Sequence, residues 1–512
     1  MPGVIDLIIG KLSPTSLALA SVVVLASCFF YIFFNRPSLP SNAPKQARDQ
    51  VPILGAWRFF TERHTWFEKE IAASSTGNFS YWVANKPVIG LSGLEGRRMF
   101  FDSKAMNFSE GYQALLAGAP PVKKNPTSIL SNESVSDDSD FGAYFSRCLV
   151  AMLKGNQLAK GLPNMVKDVR ARLDELASNP KHETDPFDSI YRVVYQLTMR
   201  TVACNEIASD DKLLKRSLHL YEEVENAASP WLIMFPWAPL YGKFKRTLAG
   251  AELYMIFKKI VDARAKEGRR EDDALQFLID QGDDITKIIT FVLGALFAGQ
   301  LNSGINAAWI LLYLTTNKDI QTKVRAEVNA AADKYCSDKS LPLKERLMSL
   351  PIGAWENEFP LIDACLRESI RLQMPGTAFR RNSSGKDLPL STGEVIPKDA
   401  YVTYLITDVH QDPTVYTNPM KWDPLRYSSE RAEDKKVHHA GLMWGVSRHP
   451  CLGMKFAKLE NNMITSFFLA YFDELEAWGP KGQLNDAPEP NLNFLTAHKP
   501  LDTIKIKYQL KK

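Results

Sequence analysis

Apolar residues recur every three to four positions along most of the chain and alternate in only a few short stretches, a pattern that predicts a mainly α protein with small β-sheets. Amphipathic helices are expected over Met165 to Leu176, Leu248 to Lys266 and Leu361 to Leu372. Another is expected after residue 453, where Phe456, Leu459, Met463, Phe467 and Tyr471 share a face. The longest helix is expected from Ile285 to Thr316, with Asp284 as its N-cap. Tyr81 to Leu91, broken by Asn85, Lys86 and Pro87, has the form of a hairpin, and Val395 to Thr407 alternates as a strand does. The serine-rich segment 120–140 is expected to be surface loop.

One run breaks the amphipathic rule. Leu17 to Phe34 is uncharged and largely apolar, and as a helix it would reach about 27 Å, close to the thickness of a bilayer core. It is expected to be a single transmembrane anchor, uncleaved, with Tyr31, Phe33 and Phe34 at the interface. Arg36, Lys45 and Arg48 follow it while Lys11 precedes it, which places the bulk of the chain on the cytoplasmic side. Pro37, Pro40 and Pro44 stiffen the next segment. The expected organisation is a membrane anchor over 1–36, a proline-rich hinge over 37–50 and a single catalytic domain over 51–512. The stretch Ala227 to Tyr241, with Trp231, Phe235 and Trp237, has a composition that suits either a membrane-dipping patch or core.

Composition narrows the function. With 512 residues, 45% of them apolar, the chain can fill a sizeable core. Its net charge of +4 comes from 62 basic and 58 acidic residues scattered along the sequence, so no basic stripe points to nucleic acid. Cys28, Cys148, Cys204, Cys336, Cys365 and Cys451 lie far apart with no Cys-x-x-Cys spacing. That argues against a disulfide framework or a cysteine zinc site and fits a reducing, cytosol-facing environment.

The chemistry centres on Trp444-Gly-Val-Ser-Arg-His-Pro-Cys451-Leu-Gly453, which sets one cysteine in a glycine-flanked loop just ahead of an amphipathic helix. Unpaired N–H groups and the dipole at a helix N-terminus favour a thiolate, so Cys451 is expected to have a lowered pKa and to bind a metal as an anion. Upstream, Glu368 and Arg371 stand three apart on one helical face, and Trp422-Asp-Pro-Leu-Arg426-Tyr427 brings a further arginine. In that order, Glu-x-x-Arg, Pro-x-Arg and Trp-Gly-(x)5-Cys-x-Gly, the motifs resemble the cytochrome P-450 superfamily of heme-thiolate proteins over most of the chain after about residue 50.

The resemblance implies the cytochrome P-450 fold behind the transmembrane helix and heme b with Cys451 as axial iron ligand. It also implies a structural ion network of Glu368, Arg371 and Arg426 that holds the cysteine loop. Arg380 matches the position of a basic residue set against a heme propionate; Arg381 beside it offers the same charge, and the sequence does not separate them. His449 replaces the usual arginine two before the cysteine, so a propionate contact there would be pH-sensitive. Ser447 replaces the usual glycine, and Trp444 replaces phenylalanine where it would tune the thiolate. The usual early Trp-x-x-x-Arg pattern is lacking, and Arg147 is a poor substitute.

Phe108 to Val122 falls in the family's substrate-roof region. In the long helix, Ala298-Gly-Gln-Leu-Asn302-Ser303 lacks the acid and threonine that most monooxygenases of the family carry, leaving Asn302 and Ser303 as the candidate catalytic residues. Asn302, with Trp309 seven residues on, is similar to the branch holding prostacyclin synthase and the sterol 7-alpha-hydroxylases, as is the tryptophan-glycine start of the cysteine loop. The implied function is monooxygenation of a lipophilic small molecule, such as a sterol, terpenoid, fatty acid or polyketide of secondary metabolism. Electrons would come from NADPH through a flavoprotein reductase at the endoplasmic reticulum membrane. The missing acid and alcohol keep open an isomerase or dehydratase acting on a peroxide-type substrate without NADPH, and a ligand-binding heme protein without turnover is a further alternative.

Overall fold

The structure, a computed structural model, describes residues 15, 19, 22–23, 36–116, 141–235 and 237–511. Most of the Leu17 to Phe34 run, the serine-rich 120–140 segment and positions 117–122 of the roof region lie outside the described residues.

The helix Ile285–Thr316 is the axis of the core. Asp284 caps it, its side chain accepting from the Lys287 N–H at 2.9 Å. Its length and apolarity would suit a membrane span, yet from Ser303 to Thr315 every residue is buried against protein. It is a core helix, apolar all round because neighbours surround it. The helices Pro186–Val202, Pro360–Gln373 and Met454–Tyr471 pack on it. At Gly304 a Cβ would stand 2.7 Å from the Tyr191 ring, so glycine is what lets the Pro186–Val202 helix close. Trp309 is held there by its indole N–H, which donates to the His498 carbonyl at 2.9 Å.

Several element boundaries move from their expected places. The helix expected from Met165 begins at Gly155 and runs through Pro163, because the buried Leu158 extends its apolar face one turn beyond the proline. The helix expected from Leu248 begins at Tyr241 and ends at Glu267, where Gly268 takes the left-handed conformation (φ 62°) that terminates it.

Among the described residues a five-stranded sheet runs in the order Phe79–Val83, Lys86–Leu91, Tyr401–Leu405, Thr377–Asn382, Met106–Asn107. Its first two strands form the expected hairpin, with Pro87 inside the second strand opposite Trp82. The long strand expected over Val395 to Thr407 is instead Val395–Ile396 and Tyr401–Leu405, followed by the short helix Thr407–His410. Pro397 and Asp399 (φ 63°) break it, and only residues 401–404 pair on both sides, parallel to Lys86–Leu91 and antiparallel to Thr377–Asn382. A four-stranded sheet combines Gly482–Leu484, Phe472–Gly479, Lys505–Leu510 and Glu183–Thr184. The Ala227 to Tyr241 stretch divides: Ile233 and Met234 are buried in the core, whereas Trp231 and Trp237 are exposed.

Candidate active site

Four buried charges tie the helix Pro360–Gln373 to the segment leading into the cysteine loop. Arg371 forks onto Glu368, Nη2 to Oε1 at 2.8 Å and Nε to Oε2 at 2.9 Å. Its remaining N–H groups reach the carbonyls of His410 and Pro419. Arg426 donates to Glu368 Oε1 at 2.9 Å and to Glu433 Oε2 at 2.5 Å. Tyr427 and the Asp423 N–H complete the Glu368 carboxylate. Such a cluster is tolerable in the core only when every charge and proton is matched, and Glu433 is what makes it neutral. Sequence reading missed Glu433, which sits in a polar run with no motif around it. Burial would raise its pKa, but hydrogen bonds from Arg431 and Arg426 hold its carboxyl down at about 2.

Downstream the chain turns back on itself through the cysteine loop. The Cys451 N–H donates to the Trp444 carbonyl at 2.6 Å. Gly445 (φ 68°) has no room for a side chain, since a Cβ would lie 2.4 Å from the His449 carbonyl oxygen. Ser447 also takes a left-handed conformation (φ 57°), which explains why glycine would suit that place; its hydroxyl lies near the Asp102 carboxylate and helps lower its pKa. The Trp444 indole N–H is buried without a hydrogen-bond partner among the described residues.

Cys451 is solvent-accessible, yet crowded enough that desolvation raises its thiol pKa, with the N–H groups of Gly453 and Met454 pulling the other way. The lowered pKa expected from the helix terminus is therefore not produced by the protein alone. Two N–H donors are too few to offset desolvation, and the missing positive charge is what a metal ion bound by the sulfur supplies.

The structure separates the two arginines of the strand Thr377–Asn382. Arg381 points outward and pairs with Glu110 at 2.5 Å and Asp399 at 3.1 Å. Arg380 is buried between the rings of Phe100 and Phe108, donates to the Phe379 carbonyl at 2.8 Å, and has no carboxylate partner among the described residues. Desolvation pushes it down to about 10, eased by Tyr112 and worsened by Arg448. The helix Phe108–Leu115 lies over this strand, and Gly111 permits the contact: a Cβ there would meet the Arg380 Cα at 2.4 Å. His449 stacks on Phe108 with ring centroids 5.0 Å apart, and burial with Arg380 and Arg448 nearby holds it down at about 4. Arg448, which sequence reading passed over, adds a third basic group. A buried guanidinium lacking a counter-charge among the described residues, with Arg448 and His449 of the cysteine loop nearby, fits an anionic, metal-bearing cofactor such as heme with its propionates. Arg147 is exposed on the helix Phe141–Met152.

On the central helix, the Asn302 amide donates back to the Ala298 carbonyl at 2.8 Å, leaving its own oxygen without a donor among the described residues. Ser303 is buried, and its hydroxyl faces Glu460 on the helix Met454–Tyr471. Burial raises the Glu460 carboxyl to about 8, and the nearby Ser303 hydroxyl pulls it the other way.

Known proteins are similar to this chain in sequence and fold. The chain matches the family model for cytochrome P450 over residues 48–504. It is 32% identical over 473 residues to cytochrome P450 monooxygenase AacuE of Aspergillus aculeatus, covering 91% of this chain and 93% of that protein. It is 25% identical to a sterol 14-demethylase of Arabidopsis thaliana, covering 92% and 93%. Among solved structures, retinoic acid bound cyanobacterial CYP120A1 superposes with a TM-score of 0.67 at 21% identity, over 93% of this chain and 100% of that one, a likeness of fold.

Proposed function

The chain belongs to the cytochrome P450 family, and from that premise we propose that it oxidises a lipophilic small molecule with dioxygen and NADPH-derived electrons, using Cys451 as the axial ligand of heme b. Monooxygenase activity, a heme iron and a reductase that supplies electrons come with the family. Bound heme supplies the activation of dioxygen, with the cysteine thiolate pushing electron density to favour O–O cleavage.

This chain's residues do the rest. Cys451 offers its sulfur between two N–H donors. Arg380 and Arg448 offer positive charge to the propionates, and His449, neutral with its pKa at about 4, offers a hydrogen bond. The Glu368–Arg371–Arg426–Glu433 cluster keeps the segment before the loop in register. Asn302 presents an amide oxygen that can hold a water or a substrate hydroxyl. The observation that carries the reading is Arg380, buried beside the cysteine loop without a carboxylate partner among the described residues. It is an arrangement that costs free energy unless an anionic cofactor completes it.

The reading extends to a single-pass anchor in the endoplasmic reticulum membrane, with the domain facing the cytoplasm. In its support, Leu19, Val22 and Val23 are helical and exposed. Trp231, Trp237, Tyr241, Phe244 and Leu248 add an exposed apolar face able to meet lipid and admit lipophilic substrates.

One observation favours a second reading: neither Leu301 nor Asn302 supplies the acid or alcohol of a proton relay. An isomerase or dehydratase acting on an existing oxygen-oxygen bond would need no such relay. The test is to incubate membranes containing the protein and a flavoprotein reductase with a lipophilic metabolite extract, with and without NADPH. A product heavier by one oxygen, labelled by heavy dioxygen and dependent on NADPH, is expected. An isomeric or dehydrated product formed without NADPH would overturn the first reading in favour of the second.

A further inference from the structure

Asp102, His438 and His439 meet outside the cysteine site. Asp102 ends the helix Gly93–Asp102, and the two histidines lie in the loop before Leu442. His438 Nε2 is 2.8 Å from Asp102 Oδ2, and His439 Nε2 is 2.7 Å from Asp102 Oδ1. Consecutive side chains on an extended strand diverge to opposite faces. Here His439 takes a φ of 53°, and the two rings lie 3.7 Å apart at 39°. A left-handed β-carbon-bearing residue is costly, so the loop holds both imidazoles on one carboxylate against its own preference.

The surroundings fix this geometry. Arg97 donates to the His438 carbonyl at 3.0 Å, Tyr416 donates to the Ala440 carbonyl at 3.0 Å, and Phe101 meets the His439 ring edge-on. The side chains of His438 and Asp102 are 44% and 40% exposed and that of His439 is 12% exposed, so water can complete a coordination shell on one side. Burial alone would raise the Asp102 carboxyl, but hydrogen bonds from both imidazoles and from Ser447 bring it down to about 2, so it is ionised.

We propose that Asp102, His438 and His439 form a binding site for one divalent transition ion of borderline softness, zinc above all. Two imidazole nitrogens and one carboxylate oxygen, with an open position for water, are the donors such an ion takes. One ligand atom from each residue already lies within 4.8 Å of the others. Ligand bonds of about 2.0–2.1 Å in tetrahedral geometry set donors roughly 3.3 Å apart, so the present hydrogen-bonded contacts need to open by only about 0.6 Å. The site is stapled to the cysteine loop: Arg448 donates to the neighbouring Ser103 carbonyl at 2.6 Å, and the Ser447 hydroxyl lies near the Asp102 carboxylate. An ion there would brace that loop from outside.

The test is zinc binding to the full-length, tag-free holoprotein, measured by competition with a chromogenic chelator and by the melting temperature of the heme-loaded protein with and without zinc chloride. One equivalent is expected to bind, with affinity falling at least tenfold in His438→Ala and in Asp102→Asn. Zinc is expected to raise the melting temperature of the wild type and not of either variant. Asn at 102 keeps the side-chain shape and the contact to Ser447, and an unchanged heme spectrum in both variants would show that each folds. Equal zinc affinity in wild type and both variants, or no bound equivalent at all, would overturn the proposal.

Discussion

Replacing Glu433 by glutamine removes one charge from the buried cluster while keeping its size and a hydrogen-bond acceptor for the Thr417 N–H, which bonds the carboxylate at 3.1 Å. Arg426, wholly buried, loses its 2.5 Å partner and must share Glu368 with Arg371. The cost can be worked from the carboxyl group itself. Its pKa is held at about 2 instead of 4.5, and at roughly 1.4 kcal/mol per pKa unit that contributes about 3 kcal/mol to folding at neutral pH. Breaking a buried pair by removing one partner typically costs about 3–5 kcal/mol, which agrees. Because the folded-state pKa is depressed, the contribution is fully present above about pH 4.5 and is lost as pH falls toward 2; it would be halved near pH 3.3, on the order of 1.7 kcal/mol. The assay is urea unfolding of the holoprotein, followed by far-ultraviolet circular dichroism and the heme band, for wild type and Glu433→Gln from pH 7 downward. Glu433→Gln should lose about 3 kcal/mol at pH 7, with the gap narrowing below pH 4.5. A wild-type midpoint at pH 7, or a gap independent of pH, would refute the claim that Glu433 neutralises the cluster.

Other outcomes follow from the same geometry. Cys451→Ser should abolish the reduced carbon monoxide band characteristic of heme-thiolate proteins, measured by difference spectroscopy. Arg380→Gln should lower the heme-to-protein ratio, whereas Arg381→Gln, which breaks only partly exposed pairs with Glu110 and Asp399, should change stability by no more than about 1 kcal/mol and leave heme content unaltered. Asn302→Ala should retain heme but change turnover or product pattern by chromatography; unchanged kinetics would make its amide only a partner of the helix's own Ala298 carbonyl. Burial and the neighbouring Arg371 push His410 down to about 3, and its Nε2 accepts from the Leu442 N–H at 3.1 Å. The unfolded chain therefore binds a proton that the folded one refuses, and stability should fall as pH drops below about 6.5, by up to about 1.4 kcal/mol per pH unit. In His410→Gln denaturant titrations that slope should flatten.

Particular residues show how far the sequence could be read. The central helix was legible because a capping aspartate and an unbroken apolar run are local signals, acting within a few residues of themselves. The strand expected over Val395 to Thr407 was too long because alternation cannot say where a pairing partner ends, and its neighbours Lys86–Leu91 and Thr377–Asn382 lie far away in sequence. Ser303 stands next to Asn302 in the sequence, but on a helix adjacent residues face different neighbours, and only the approach of Glu460 from another helix shows what the Ser303 hydroxyl faces.

The sequence by itself determined the helical periods, the order of Glu368, Arg371, Arg426 and Cys451, and hence the family and the sulfur that would hold the iron. Each of these depends on neighbours in the chain, which periodicity and turn chemistry encode directly. Tertiary structure alone decided that Arg380 and not Arg381 turns inward, because a strand sends successive side chains to opposite faces and only the packing of Phe100, Phe108 and Gly111 says which face is covered. It also decided that Glu433 is the fourth charge of the network and that Asp102 meets His438 and His439 across 336 and 337 residues. Such encounters arise from the summed burial of apolar surface over the whole domain, which fixes distant groups together without leaving a mark in the residues beside them.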